Sequence, residues 1–118
     1  GTAHVKAILE TGELPDQPTV AIAAELAIAA GADFVKTSTG KTRVSATPEA
    51  AHTMLEVVRA APRPVGLKPS GGIRTLEQAG VYVGLADQVM GAGWATPATF
   101  RLGASSLLAD VLARLAVQ

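Results

Sequence analysis

The sequence predicts an α/β fold of four successive strand-then-helix units, half of a (β/α)8 TIM barrel, with an open doubly wound sheet as the competing arrangement. Three observations carry that expectation. Short apolar segments ending in glycine- or hydroxyl-rich turns alternate with longer segments of helical spacing. Such alternation implies parallel strands joined by right-handed crossovers. The chain has 118 residues, about half of the roughly 250 that a closed barrel takes.

The first strand is expected over His4–Glu10, ended by Thr11-Gly12. Asp16 or Gln17 then caps a helix from Thr19 to Ala30, with Pro18 in its first turn and Gly31 closing it. Phe34-Val35-Lys36 forms the second strand. Thr47-Pro48-Glu49 opens the next helix with a hydroxyl cap, a proline and an acid at the positive dipole end. Its Ala51, Met54, Leu55 and Val58 fall on one helical stripe and read as core. Pro62 and Pro64 lead into a third strand, Val65 to Lys68, and Thr75–Gln78 is a capping box. The helix behind it is expected to turn Leu76, Ala79 and Val83 inward. A fourth strand is expected over Ala86–Gly91 and a one-turn helix over Thr96–Arg101. The last helix starts near Gly103 and buries Leu108, Val111, Leu112 and Leu115. Ala7, Leu9, Phe34 and Gly66 are expected to face the barrel interior, an apolar layer awaiting facing strands.

Composition excludes several function classes. Acidic and basic residues balance, which argues against nucleic acid or an anionic membrane surface as partner. Aromatic residues are too scarce to stack single-stranded bases. Without cysteine there is no disulfide framework and no thiolate metal site, which fits a cytoplasmic protein. No apolar run approaches the roughly 18 residues of a membrane helix, and no signal-peptide pattern precedes the first strand. Of the two histidines, His52 reads as a surface residue and His4 sits near the first residue.

The chemistry centres on Lys36, where an apolar strand runs into Thr37-Ser38-Thr39-Gly40-Lys41. Desolvation among apolar neighbours favours a neutral amine, the nucleophilic form, whereas a lysine at a strand rim keeps its head in water. Val65-Gly66-Leu67-Lys68-Pro69-Ser70-Gly71-Gly72 repeats the pattern of strand, lysine and glycine turn. Both lysines are expected on adjacent parallel strands and on the same face. A second ammonium close by disfavours protonating both. Three turns, Thr39-Gly40-Lys41, Ser70-Gly71-Gly72 and Gly103-Ala104-Ser105-Ser106, fall where a strand ends and a helix follows. Glycine admits close backbone approach, hydroxyls donate, and helix N-termini add positive charge, so together with Lys41 the turns point to a phosphate site. A Walker pattern is absent, which disfavours a nucleotide triphosphatase.

Glu10-Thr11-Gly12-Glu13-Leu14, Ala32–Gly40, Gly66–Thr75 and Arg101–Ser106 together resemble deoxyribose-phosphate aldolase, over about residues 4 to 113. The resemblance implies a class I aldolase that cleaves 2-deoxy-D-ribose 5-phosphate into acetaldehyde and D-glyceraldehyde 3-phosphate. It implies Lys36 as the Schiff-base lysine and Lys68 as the neighbour that depresses its pKa and relays protons. It places Gly40, Lys41, Gly71, Gly72, Ser105 and Ser106 at the substrate phosphate. An iminium serves as the electron sink, so neither metal nor cofactor is implied. Residues 1–118 then correspond to the C-terminal half-barrel. The family's first four units, with an aspartate that joins the proton relay, have no counterpart here; Glu10, Asp33 and Asp87 are candidates by position. Expected partners are the small sugar-phosphate and aldehyde substrates, and either the missing N-terminal half or a second copy. Two other readings stand beside the aldolase. One is an inactive half-barrel that self-assembles and keeps only a phosphate-binding cleft. The other is a different phosphate-binding barrel enzyme, such as a sugar-phosphate isomerase, which leaves the paired lysines unexplained.

Overall fold

Local signals start each helix. The Asp16 carboxylate accepts from the Thr19 amide at 2.9 Å, and the Thr47 hydroxyl accepts from the Ala50 amide at 3.1 Å. Thr75 accepts from the Gln78 amide at 3.2 Å while the Gln78 side chain accepts from the Thr75 amide at 3.1 Å, a closed capping box. In the computed structural model, which describes residues 2–117, the elements are β1 (Lys6–Ile8), a 3-10 turn (Thr11–Glu13), α1 (Gln17–Ala29), β2 (Phe34–Lys36), α2 (Pro48–Ala60), β3 (Gly66–Lys68), α3 (Leu76–Met90) and α4 (Leu107–Ala116). The strands form one parallel sheet in the order β1-β2-β3. A fourth position beside β3 is taken by residues 100–103, through parallel bridges from Leu67 to Phe100 and from Ser70 to Gly103.

The core lies between this sheet and the helices. Val20, Ala24 and Ile28 of α1, the stripe Ala51, Met54, Leu55 and Val58 of α2, and Ala79, Tyr82 and Ala86 of α3 pack around Val35 and Leu67. On the sheet's other face the register aligns Lys6, Phe34 and Gly66 in one row and Ile8, Lys36 and Lys68 in the next. Phe34 is almost fully buried there. The Lys6 ammonium sits 5.6 Å from its ring centroid and the Arg101 guanidinium 4.6 Å from it. A side chain on Gly66 would start 2.4 Å from the same ring, so the glycine makes room for it.

Five expectations are corrected. Ala86–Met90 is not a strand but the end of α3; Ala79, Tyr82 and Ala86 continue one helical stripe, and the helix stops only at Gly91, with φ 95°. The fourth strand position falls instead on residues 100–103, and Thr96–Arg101 is a hydrogen-bonded turn leading into it rather than a helix. Along α3 the inward residues are Ala79, Tyr82 and Ala86, while Leu76 and Val83 are exposed. In α4, which starts at Leu107, that residue is buried and Val111 half-buried; Leu108, Leu112 and Leu115 are exposed. Ala7 pairs with Val35 and so faces the helices, as does Leu9, which packs on the core. The face opposite the helices therefore carries lysines beside Ile8 and Phe34, not a purely apolar layer.

Burial decides what truncations cost. Met54→Ala removes a fully buried side chain and should destabilise by about 2–5 kcal/mol. Leu112→Ala, on the exposed stripe of α4, should stay within about 0.5 kcal/mol. Urea unfolding midpoints at unchanged slope measure both.

Candidate active site

Lys36 and Lys68 are the last residues of β2 and β3, and the parallel register sets them directly opposite each other. Both are half-buried. They stand in the wall of one cleft of about 450 Å³ at the C-terminal end of the strands. Thr39, Gly40 and Lys41 from the turn after β2, Ser70 to Arg74 from the turn after β3, and Gly103, Ala104 and Ser105 complete it. A second cleft, of about 410 Å³, lies at the opposite end of the sheet beside Ile28, Val57 and Pro62, away from both lysines.

The backbone beneath the lysines is fixed by Thr37, whose hydroxyl accepts from the Ser70 amide at 2.9 Å and donates to the Ser70 carbonyl at 3.2 Å. Ser70 in turn meets Gly103. Gly71 and Gly72 follow with φ of 94° and 77°, successive left-handed positions that L side chains rarely adopt. The Gly71 amide donates to the Gly103 carbonyl at 3.1 Å, tying two of the glycine turns together. Thr39 is held from β1's side: its amide and hydroxyl both donate to the Glu10 carboxylate, at 3.1 and 2.7 Å. The Lys41 amide donates to the Thr39 hydroxyl at 3.1 Å.

Charge shapes the site. Burial first, then the positive charges of Lys36, Lys6 and Arg101, push the Lys68 ammonium below the ordinary lysine value of 10.5. The Thr39 hydroxyl, opposed by partial burial and helped by the Thr39 amide, Thr42 and the Lys36 charge, holds the Glu10 carboxyl below the usual range. The hydroxyls of Ser38 and Thr11, buried beside these groups in the chain, have no partner among the described residues. No cluster of three or more histidines and carboxylates able to hold a metal occurs among the described residues.

Of the residues singled out from the sequence, Lys36, Gly40, Lys41, Lys68, Gly71, Gly72 and Ser105 share the cleft wall. Ser106 does not. It is the exposed N-cap of α4, and its side chain makes no capping bond. Sequence reasoning gave Arg74 no role, yet Arg74 is in the wall. A signal was available: a cation immediately before the Thr75 cap stands at the positive end of a helix, where it is unfavourable without an anion. Asp33, one candidate for the relay, instead accepts from the Val5 amide at 2.8 Å at the other end of the sheet. Asp87 lies on α3, exposed.

A family model for DeoC/LacD family aldolases matches residues 3–112. The deoxyribose-phosphate aldolase of Agrobacterium fabrum is 55% identical over 112 residues, covering 95% of this chain and 43% of its own length. Among solved structures, an apo protein of Toxoplasma gondii assigned as a deoxyribose-phosphate aldolase superposes with a TM-score of 0.90 at 25% identity, over 100% of this chain and 47% of that one. A Coccidioides immitis protein with the same assignment gives 0.78 at 34% identity, over 96% and 40%. The deoxyribose phosphate aldolase of Aeropyrum pernix, described as tetrameric, gives 0.67 at 31% identity, over 97% and 42%. The chain thus spans less than half the length of each of these relatives.

The depressed Lys68 sets a pH dependence of stability. Between its folded value and 10.5 the unfolded chain holds a proton that the folded chain has lost, so stability should rise with pH across that window. Lys68→Met removes this contribution. The stability of the variant relative to the parent should therefore be greatest near neutral pH and shrink as pH approaches 10.5. Urea unfolding of both proteins across that range measures it; a difference that stays constant contradicts the burial of Lys68.

Proposed function

The chain belongs to the DeoC/LacD family of aldolases, and on that premise we propose that it is the C-terminal half-barrel of a class I aldolase cleaving 2-deoxy-D-ribose 5-phosphate to acetaldehyde and D-glyceraldehyde 3-phosphate. The observation that carries the reading is the register of Lys36 opposite Lys68 in a cleft walled by glycine turns.

The unprotonated Lys36 amine attacks the C1 aldehyde of the open-chain sugar, and loss of water leaves an iminium. Removal of the C3 hydroxyl proton breaks the C2–C3 bond. C3 becomes the aldehyde of the phosphorylated product, and the bonding pair passes from C2 into the iminium to give an enamine. Protonation at C2 and hydrolysis release acetaldehyde and restore the amine. Lys68, with its proton held loosely by burial and neighbouring cations, is suited to relay protons beside that amine. Lys41 and Arg74, the backbone of Gly40, Gly71 and Gly72, and Ser105 bind the phosphate. Ser106, outside the cleft wall, is left without a part in this site.

Among the described residues β1 has a pairing partner on one side only, and residues 100–103 are paired with β3 alone. We propose that the complete enzyme closes its barrel across these edges with a further half. We assign it to the cytoplasm on its cysteine-free composition. No helix among the described residues is long and apolar enough to cross a membrane.

Borohydride reduction in the presence of acetaldehyde tests the nucleophile. The protein should gain one ethyl group, mapped by peptide mass to Lys36. Lys36→Met should abolish the gain, and Lys68→Met should slow it by about 10²–10⁴-fold. Labelling spread over surface lysines, or undiminished in Lys36→Met, contradicts the reading.

A further inference from the structure

Glu10 is the only residue other than glycine with a positive φ among the described residues, at φ 55° and ψ 57°. A β-carbon makes that conformation costly, and such outliers persist where surrounding bonds enforce them. Here the enforcing bonds are visible. The Leu9 amide donates to the Lys36 carbonyl at 3.0 Å and the Thr11 amide to the Thr37 carbonyl at 2.9 Å. Between those two bonds the chain of β1 advances two residues while β2 advances one. Glu10 is the extra residue of a bulge, which re-aims its side chain.

The carboxylate is aimed at the turn that follows Lys36. It accepts the amide and the hydroxyl of Thr39; the Thr42 hydroxyl, whose shorter bond at 2.8 Å goes to the Val44 carbonyl, approaches it at 3.4 Å. The Thr39 hydroxyl then receives the Lys41 amide. One half-buried carboxylate thus ties together a turn whose Thr39, Gly40 and Lys41 are all exposed. Bonds to an ionised acceptor are stronger than neutral ones, and this carboxylate also lies in the field of Lys36.

We propose that Glu10 is a positioning residue: as a latch on residues 39–42, it fixes the Lys41 wall of the cleft relative to Lys36 and so sets affinity for the phosphate-bearing substrate. The proposal rests on the aldolase reading given above. It differs from a proton-relay role, because the latch holds through acceptor bonds and transfers no proton. Glutamine retains an acceptor oxygen at this position, whereas alanine retains none.

The test uses the reductive trapping assay with two probes, 2-deoxyribose 5-phosphate and acetaldehyde. In Glu10→Ala the half-saturating concentration of the phosphorylated probe should rise on the order of ten-fold. That of acetaldehyde, which has no phosphate, should stay within about two-fold, since the amine itself is intact. Glu10→Gln should recover most of the loss. Thr39→Val, which cuts the shortest latch bond from the other side, should act in the same direction and serves if Glu10→Ala does not fold. Amide exchange gives a readout independent of chemistry. Thr39 and Lys41 should exchange faster in Glu10→Ala or Thr39→Val, with Val35 unchanged. Equal effects on both probes, or none, overturn the latch. A parent protein that traps neither probe overturns the aldolase reading instead; exchange alone then decides the latch, and unchanged rates at Thr39 and Lys41 overturn it.

Discussion

The pairing of β2 with β3 in a single register is the constraint on which the cleft depends, because side chains on a strand alternate between two faces. A slip of one residue would exchange Lys36 for Val35 or Thr37 and push a charged amine into the helix-covered core. The strands are only three residues long, so their own ladder specifies the register weakly. Thr37 supplies what the ladder lacks. Its buried hydroxyl engages both the amide and the carbonyl of Ser70, a two-way lock across the strand ends. The glycine turns hang from this lock, since Ser70 and Gly71 are joined to Gly103.

The face opposite the helices is electrostatically one-sided. Lys6, Lys36, Lys68 and Arg101 act together, and burial converts their mutual repulsion into a loosely held proton on Lys68. Phe34 softens the arrangement: Lys6 and Arg101 both lie over its ring, so two of the cations rest against π density. Gly66 completes the device by leaving the ring its space. Glu10 provides negative charge at the other rim.

Legibility followed the range of the signals. The caps at Asp16, Thr47 and Thr75, the stripe of α2 and the strand Phe34–Lys36 depend on neighbours within a turn or two, and all are present. The face of α4 was not legible. Leu107 and Val111 lie on one side and Leu108, Leu112 and Leu115 on another, so local spacing offers two stripes and tertiary contact selects the first. The segment Ala86-Asp87-Gln88-Val89-Met90 is too short and too mixed for its spacing to separate strand from helix until the absence of a stop before Gly91 is weighed. In β1 the alternation separates Ala7 from Ile8 but does not say which face meets the helices, because a barrel covers both. The cleft was legible as motifs, yet the bulge at Glu10 was not. Glutamate has no preference for left-handed backbone, and nothing near it in sequence announces the extra residue.

The strands stand in the sheet in the order in which they occur along the chain, each beside its immediate predecessor. Such a chain can be assembled as it is synthesised. Within these residues each new strand and helix meets a surface already in place. Among these units local opening is easier where a strand is paired on one side and harder where it is paired on both. Lys36 lies on β2, paired along its length on both sides. The residue that carries the proposed chemistry is therefore placed where spontaneous opening is rarest, with the adaptable turns arranged around it at the rim.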